Sequence, residues 1–216
     1  MTSRDVVLGR IRAALIDALP PPPVPRNYRR TAGRPAGSAA AIELFVDRLQ
    51  DYQATVRVVA DADLPAAVAD ALRPVTSVVI AAGLDERIAG ACAADGRTVT
   101  VDGDPAVLSA AQLDCIDAVV TQARVAIALT GTIVLDGREG QGRRAISLVP
   151  DRHLVVLRAD QIVGSVPEGL ARLSPTAALT LISGPSATSD IELSRVEGVH
   201  GPRTLDVLVS TEPLVR

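Results

Sequence analysis

Between residues 55 and 129 the chain alternates short apolar runs with segments of helical periodicity, and no other feature restricts its possible folds as much. Residues 55–60, 77–82, 98–101, 116–122 and 125–129 read as strands; 65–72, 85–93 and 105–112 read as helices. Short Val/Ile-rich runs that are bounded by turns and separated by helices predict a mostly parallel sheet covered on both faces. The expected fold class is therefore α/β, a three-layer sandwich. A helix over 40–52, with Ile42, Phe45, Val46 and Leu49 on one face, leads into it.

The pattern changes at Thr130. Residues 131–136 and 144–149 read as two strands joined by 137–143, where Gly137, Gly140 and Gly142 suit a turn or a mobile flap, so a hairpin is expected over 131–149. A strand over 153–157, a helix over 159–173, a strand over 179–183, a short helix from Ser189 and a last strand over 205–210 follow.

With 216 residues the chain suits one large domain, which buries roughly 70% of its unfolded surface. The N-terminal 37 residues read separately from the α/β domain of 38–216. Residues 3–19 form an amphipathic helix carrying Val6, Val7, Ile11 and Leu15, and Pro20 to Pro23 stop it. The stretch 20–37 is rich in proline and carries Arg26, Arg29, Arg30 and Arg34. It reads as an extended basic arm, either a solvated linker or a tether that docks onto an acidic partner. Having few apolar residues, the arm is expected to be dispensable for folding.

Composition excludes several chemistries. All 22 basic residues are Arg, which rules out a Schiff-base Lys, a Lys general base and a Walker-type phosphate Lys. Aromatics are limited to Tyr28, Phe45 and Tyr52, so base-stacking surfaces for single-stranded nucleic acid are absent. The net charge of −3 argues against a broad nucleic-acid surface. Cys92 and Cys115 stand 23 residues apart with no C-x-x-C around them, so by themselves they hold no iron–sulfur cluster or structural zinc; two buried, reduced thiols are expected. No apolar run reaches membrane-span length, and the charged N-terminus does not read as a signal peptide, so the expected compartment is the cytoplasm.

Three clusters carry potential chemistry, all after residue 129. Thr130-Gly131-Thr132 offers two hydroxyls around a glycine, or simply a strand turn. Residues 183–192 follow a strand with Ser183, Gly184, Pro185, Ser186, Thr188, Ser189 and Asp190, where hydroxyls and helix-terminal amides would meet at a carboxyl end of a strand and favour an anion. Ser189 and Glu192 also fit a capping box. The third is Gly198-Val199-His200-Gly201-Pro202, in which His200 is a candidate carboxylate-binding or acid–base group. His153, at the start of a strand, reads as structural. If strands 179–183 and 205–210 are neighbours, His200 faces the 183–190 loop and Thr130–Thr132 form a third wall.

These motifs carry a resemblance. Ala128 to Thr132, the stretch 148–153, the run LISGPSATSDIE over 181–192 and GVHGP over 198–202 look like the LutC/YkgG family of LUD (lactate utilisation) domains, strongly over 116–211 and in layout before that. The resemblance implies a fold like the NagB, ribose-5-phosphate isomerase and CoA-transferase-like α/β sandwich. It also implies a subunit of a three-part system oxidising L-lactate to pyruvate, with iron–sulfur clusters in the partner subunits and none here. Family members often carry an acidic residue just before Thr-Gly-Thr; this chain has Leu129, which weakens acid–base catalysis at that point. The expected ligand is a small carboxylate or phosphate. The alternatives are an independent CoA-transferase-like or sugar-phosphate-isomerase-like enzyme, or a ligand-free structural partner.

Overall fold

The computed structural model describes residues 2–19, 22–103, 106–188, 196–197 and 201–211. Its frame is a six-stranded sheet in the order β1 (Thr55–Val59), β12 (Thr204–Ser210), β7 (Arg152–Arg158), β4 (Ala118–Gln122), β2 (Ser77–Ala81) and β3 (Thr98–Asp102). Every neighbouring pair in it runs parallel. The strands are the near-continuous Val/Ile/Leu runs expected where both faces are covered.

One face packs against α3 (Leu64–Ala71) and α4 (Glu86–Cys92) through Leu64, Val68, Ile88 and Cys92 on Val78, Ile80, Val120, Leu154 and Leu208. The other face carries α2 (Ala39–Asp51), whose Ala41, Phe45 and Leu49 bury against Val155, Leu157, Val207 and Val209. On the same face, Leu113 of α5 (Ala110–Asp114) and Ile146 cover Val79, Ala81 and Val119. The result is the expected three-layer α/β sandwich.

A second sheet of four short strands joins the α2 layer: β8 (Ile162–Val163), β5 (Val125–Ile127), β6 (Thr132–Leu135) and β9 (Thr180–Ile182). β5 and β6 form an antiparallel hairpin, joined by a 3-10 turn at Ala128–Thr130 and by Gly131. The hairpin therefore lies one strand earlier than the sequence pattern suggests. Arg144–Ser147 is not its second strand but a 3-10 helix, because Ile146 turns inward to fill the space beside Val79 and Val119. The segment 137–143 packs on the main sheet, where Gly140 N–H donates to Ala82 O (2.9 Å) and Gly140 O accepts from Gln122 N–H (2.8 Å).

The long helix expected over 159–173 is also absent. A 3-10 turn (Ala159–Gln161), β8 and the short α6 (Val166–Leu170) take its place. Pro167 sits in the first turn of α6, and Gly169 lies against Ile127, with no room for a β-carbon. β9 joins β6 in the small sheet rather than neighbouring β12. β10 (Ala187–Thr188) and β11 (Val196–Glu197) form a separate antiparallel ribbon, and the helix expected from Ser189 lies outside the described residues.

At the N-terminus, α1 (Ser3–Ala14) is capped by a Thr2/Asp5 capping box and buries none of its residues. The arm touches the domain where it ends: Gly37 N–H donates to Ile162 O (3.0 Å), and a β-carbon on Gly164 would lie 3.1 Å from Ala32 Cβ and 3.2 Å from Arg34 O. Among the described residues no helix is long and apolar enough to cross a membrane.

Candidate functional site

A cavity of about 360 Å³ opens beside the amino-terminal ends of β7 and β12. Its floor is His153 and Leu205, the second residues of the two strands and partners in their register. One wall comes from β9 and the Ser183–Ser186 turn, another from Arg144, Ser147 and Leu148, and Gly201 and Pro202 close the side.

Each wall has a local cause. Gly184 adopts φ +98, and a β-carbon there would sit 2.6 Å from Tyr52 Cβ, so glycine lets the chain turn beneath the end of α2. Ser186 N–H then donates to Pro202 O (2.8 Å), tying this turn to the segment that enters β12. The Arg144–Ser147 turn is held from both sides. Ile146 is buried in the core, and Arg143 grips Asp102 through Nε (2.7 Å) and Nη2 (3.0 Å) and reaches Leu108 O. Burial pushes the Asp102 carboxyl up, but hydrogen bonds from Arg143 and from Leu108 N–H outweigh it and leave Asp102 below the usual carboxylate range.

The polar inventory of the cavity is small. Arg144 is exposed at the rim and has no ion-pair partner among the described residues. Ser147 is buried and donates to Arg144 O (3.0 Å). Ser183 Oγ lies 2.8 Å from Thr132 Oγ1, which in turn lies 2.7 Å from Thr130 Oγ1. His153 is 1% exposed, and burial lowers its pKa to about 3, so its imidazole is neutral at any physiological pH. Its Nε2 lies 2.8 Å from Thr121 Oγ1. The remaining lining is apolar: Leu148, Leu179, Leu181, Ile182, Pro185, Pro202 and Leu205.

The structure thus brings Ser183, Gly184, Pro185, Ser186 and Gly201 to one cavity. Thr130 and Thr132 do not line it and reach it only through the hydroxyl chain to Ser183. Gly131 has a packing role: at φ +57, its missing β-carbon would meet Arg48 Cβ at 2.8 Å, so glycine admits α2. Thr188 continues from the turn into β10. Asp190 and His200, with Ser189, Glu192, Gly198 and Val199, lie outside the described residues. Leu129 is half exposed on the Ala128–Thr130 turn.

The cluster lies at the carboxyl end of β9 as expected, but at the amino ends of the main sheet's β7 and β12. His153 and Arg144 were missed. A buried histidine leaves the same sequence trace as any core residue, and Arg144 stood in a run that read as strand. The one usable signal for His153 was the Pro150-Asp151 turn that starts its strand. The cysteines differ from expectation: Cys92 is buried, its thiol pushed up to about 12 by burial, whereas Cys115, at the end of α5, is exposed. No group of three or more His, Cys, Asp or Glu side chains suited to a metal occurs among the described residues.

The sequence profile described as LUD domain matches residues 42–209, from within α2 to within β12. The chain belongs to the LUD domain family. It is 47% identical over 199 residues to Lactate utilization protein C of Deinococcus radiodurans, covering 89% of this chain and 86% of that one. A Bacillus pumilus protein of the same name is 35% identical over 95 residues, 40% of this chain and 39% of the relative. The crystal structure of a DUF162 family protein from Deinococcus radiodurans superimposes with a TM-score of 0.67 at 42% identity, over 80% of this chain and 97% of that one. The matched LUD region contains every described residue that lines the cavity.

Proposed function

We propose that this LUD-domain chain serves lactate utilisation as the small subunit of an L-lactate oxidation system, and that its cavity holds a small carboxylate. The cavity's polar layout carries the reading: an arginine without an ionic partner at the rim, serine hydroxyls along the walls and an apolar interior. The relatives named Lactate utilization protein C support the metabolic half of it.

Arg144 supplies a planar pair of donors to a carboxylate, the geometry guanidinium groups favour. The hydroxyls of Ser183 and Ser186 add hydrogen bonds. Leu148, Ile182 and Leu205 accept a methyl group. Taking L-lactate to pyruvate removes two electrons and two protons. Two cysteines 23 residues apart cannot by themselves hold an iron–sulfur cluster for those electrons. Iron–sulfur clusters in partner subunits would take them, and this chain would position or sense the acid with no cofactor of its own.

Calorimetric titration of the purified chain with L-lactate, pyruvate and inorganic phosphate tests the ligand. Saturable binding of a carboxylate is expected, with Arg144→Ala weakening it by about tenfold or more. Absence of saturable binding by either acid sinks the carboxylate site. Deleting the gene should abolish growth on L-lactate and spare growth on glucose; unimpaired growth on L-lactate refutes the metabolic role.

A further inference from the structure

His153 has two ring nitrogens, and the structure accounts for one. Nε2 lies 2.8 Å from Thr121 Oγ1. Thr121 is fully buried, and its hydroxyl makes no other hydrogen bond among the described residues. A hydroxyl carries one proton, and in an apolar interior that proton needs an acceptor. If Nε2 were protonated, it would donate to Thr121 and leave the buried hydroxyl proton without an acceptor. If Nε2 is bare, Thr121 O–H donates to it and both groups are satisfied. The single proton of the neutral imidazole then sits on Nδ1, which has no protein acceptor among the described residues, while His153 forms the cavity floor.

We infer that Thr121 fixes His153 in the Nδ1–H form, so that the cavity floor presents a neutral N–H donor to a ligand oxygen and favours a 2-oxo acid over the matching 2-hydroxy acid. The inference rests on the carboxylate reading above. Its chemistry is that of acceptor count. The carbonyl of a 2-oxo acid only accepts, and so do its carboxylate oxygens; Arg144 and Nδ1–H only donate. A 2-hydroxy acid brings one more proton, which neither group can receive and which must turn away from the floor to a serine of the wall. Thr121 acts as a positioning residue, because it works through the imidazole.

Long-range ¹H–¹⁵N correlation spectra read the tautomer directly. The chain has two histidines, and His200→Gln, used only to assign the ligand-free spectrum, identifies the His153 signals. The expected pattern is protonated Nδ1 and bare Nε2. Thr121→Val should mix the two tautomers, and Thr121→Ser should restore the single one, a change that a purely packing role would not produce. Pyruvate should bind roughly tenfold tighter than L-lactate, and His153→Phe, which keeps the ring but loses the donor, should reduce that preference to about one. A protonated Nε2 in the free protein overturns the inference whatever binds. Protonated Nδ1 with equal or reversed affinities overturns the selectivity and leaves the carboxylate site standing. Binding of neither acid overturns both.

Discussion

The two ends of the parallel sheet are built in opposite ways. At the carboxyl ends of β2, β3 and β4 the strands run into the 137–143 segment, which takes up one backbone hydrogen bond from Gln122 and gives one to Ala82. Arg143 locks it to Asp102, the last residue of β3. At the amino ends of β7 and β12 the chain leaves a hollow floored by His153 and Leu205. Open α/β sheets place ligands at carboxyl ends, where helix-entry loops leave a crevice. Here a glycine-rich segment fills part of that crevice, and β9 with its Ser183–Ser186 turn builds the cavity at the other end. Strand polarity alone does not locate a site; what the connecting segments cover decides it.

The sharpest way to break this contrast is a pair of glycine substitutions. Gly142 sits at φ +69, and a β-carbon there would lie 2.5 Å from Ile146 Cδ1 and 2.9 Å from Ala81 Cβ. Gly142→Ala should cost about 2–4 kcal/mol, lowering the melting temperature by roughly 5–15 °C. Gly201, at the hollow end, has only an ordinary 3.4 Å contact with Ser186 Cβ, and Gly201→Ala should stay within about 0.5 kcal/mol. Equal losses in differential scanning calorimetry would mean that the two ends are packed alike.

Acid should probe the hollow end next. The folded chain keeps His153 neutral down to about pH 3, whereas the unfolded chain binds a proton near its ordinary pKa of 6.5. The unfolded state therefore holds more protons below pH 6.5. Stability is flat above that point and falls below it by up to about 1.4 kcal/mol per pH unit. Asp206, whose carboxyl burial raises, works in the opposite sense, so the readout is the difference between wild type and His153→Gln over pH 6.5–4.5. Parallel stability curves for the two proteins would contradict the buried, neutral imidazole.

The smallest effect concerns the N-terminal segment. Removing residues 2–28 deletes a helix that buries none of its residues and should shift the melting temperature by about 2 °C or less. Removing residues through 37 also strips Ala32, Arg34 and Gly37 from Gly164 and Ile162, and should cost about 1 kcal/mol more. Identical midpoints for the two truncations would show that the docked part of the arm contributes nothing.

The sheet was legible from sequence because strands buried on both faces have little freedom in composition. Val78–Ala81, Val119–Val120 and Leu154–Leu157 are apolar at every position, and their positions come out within a residue or two. The failures share a cause. Residues 144–149 have the alternation of a strand, but one side chain, Ile146, fits a core gap that a strand would miss, and tertiary packing overrides the local pattern. Over 159–173 the helical spacing outweighed Gly164, Pro167 and Gly169, which are the breakers the structure uses. At the site, the polar turn 183–186 and Gly201 announced themselves through glycine, proline and hydroxyls. Arg144 and His153 did not, since the meaning of each comes from a register and a turn that only the folded chain brings together.

The position of β12 bears on how the molecule assembles. It lies between β1 and β7, so Thr55 pairs with Asp206 across about 150 residues of chain, and such distant pairings close slowly. During synthesis β1 and β7 are made long before the strand that joins them, and until Thr204–Ser210 emerges each keeps an unpaired edge of Val and Leu. A product cut short of β12 would leave β7 at the edge of the sheet and β1 with no partner strand, both suited to aggregation.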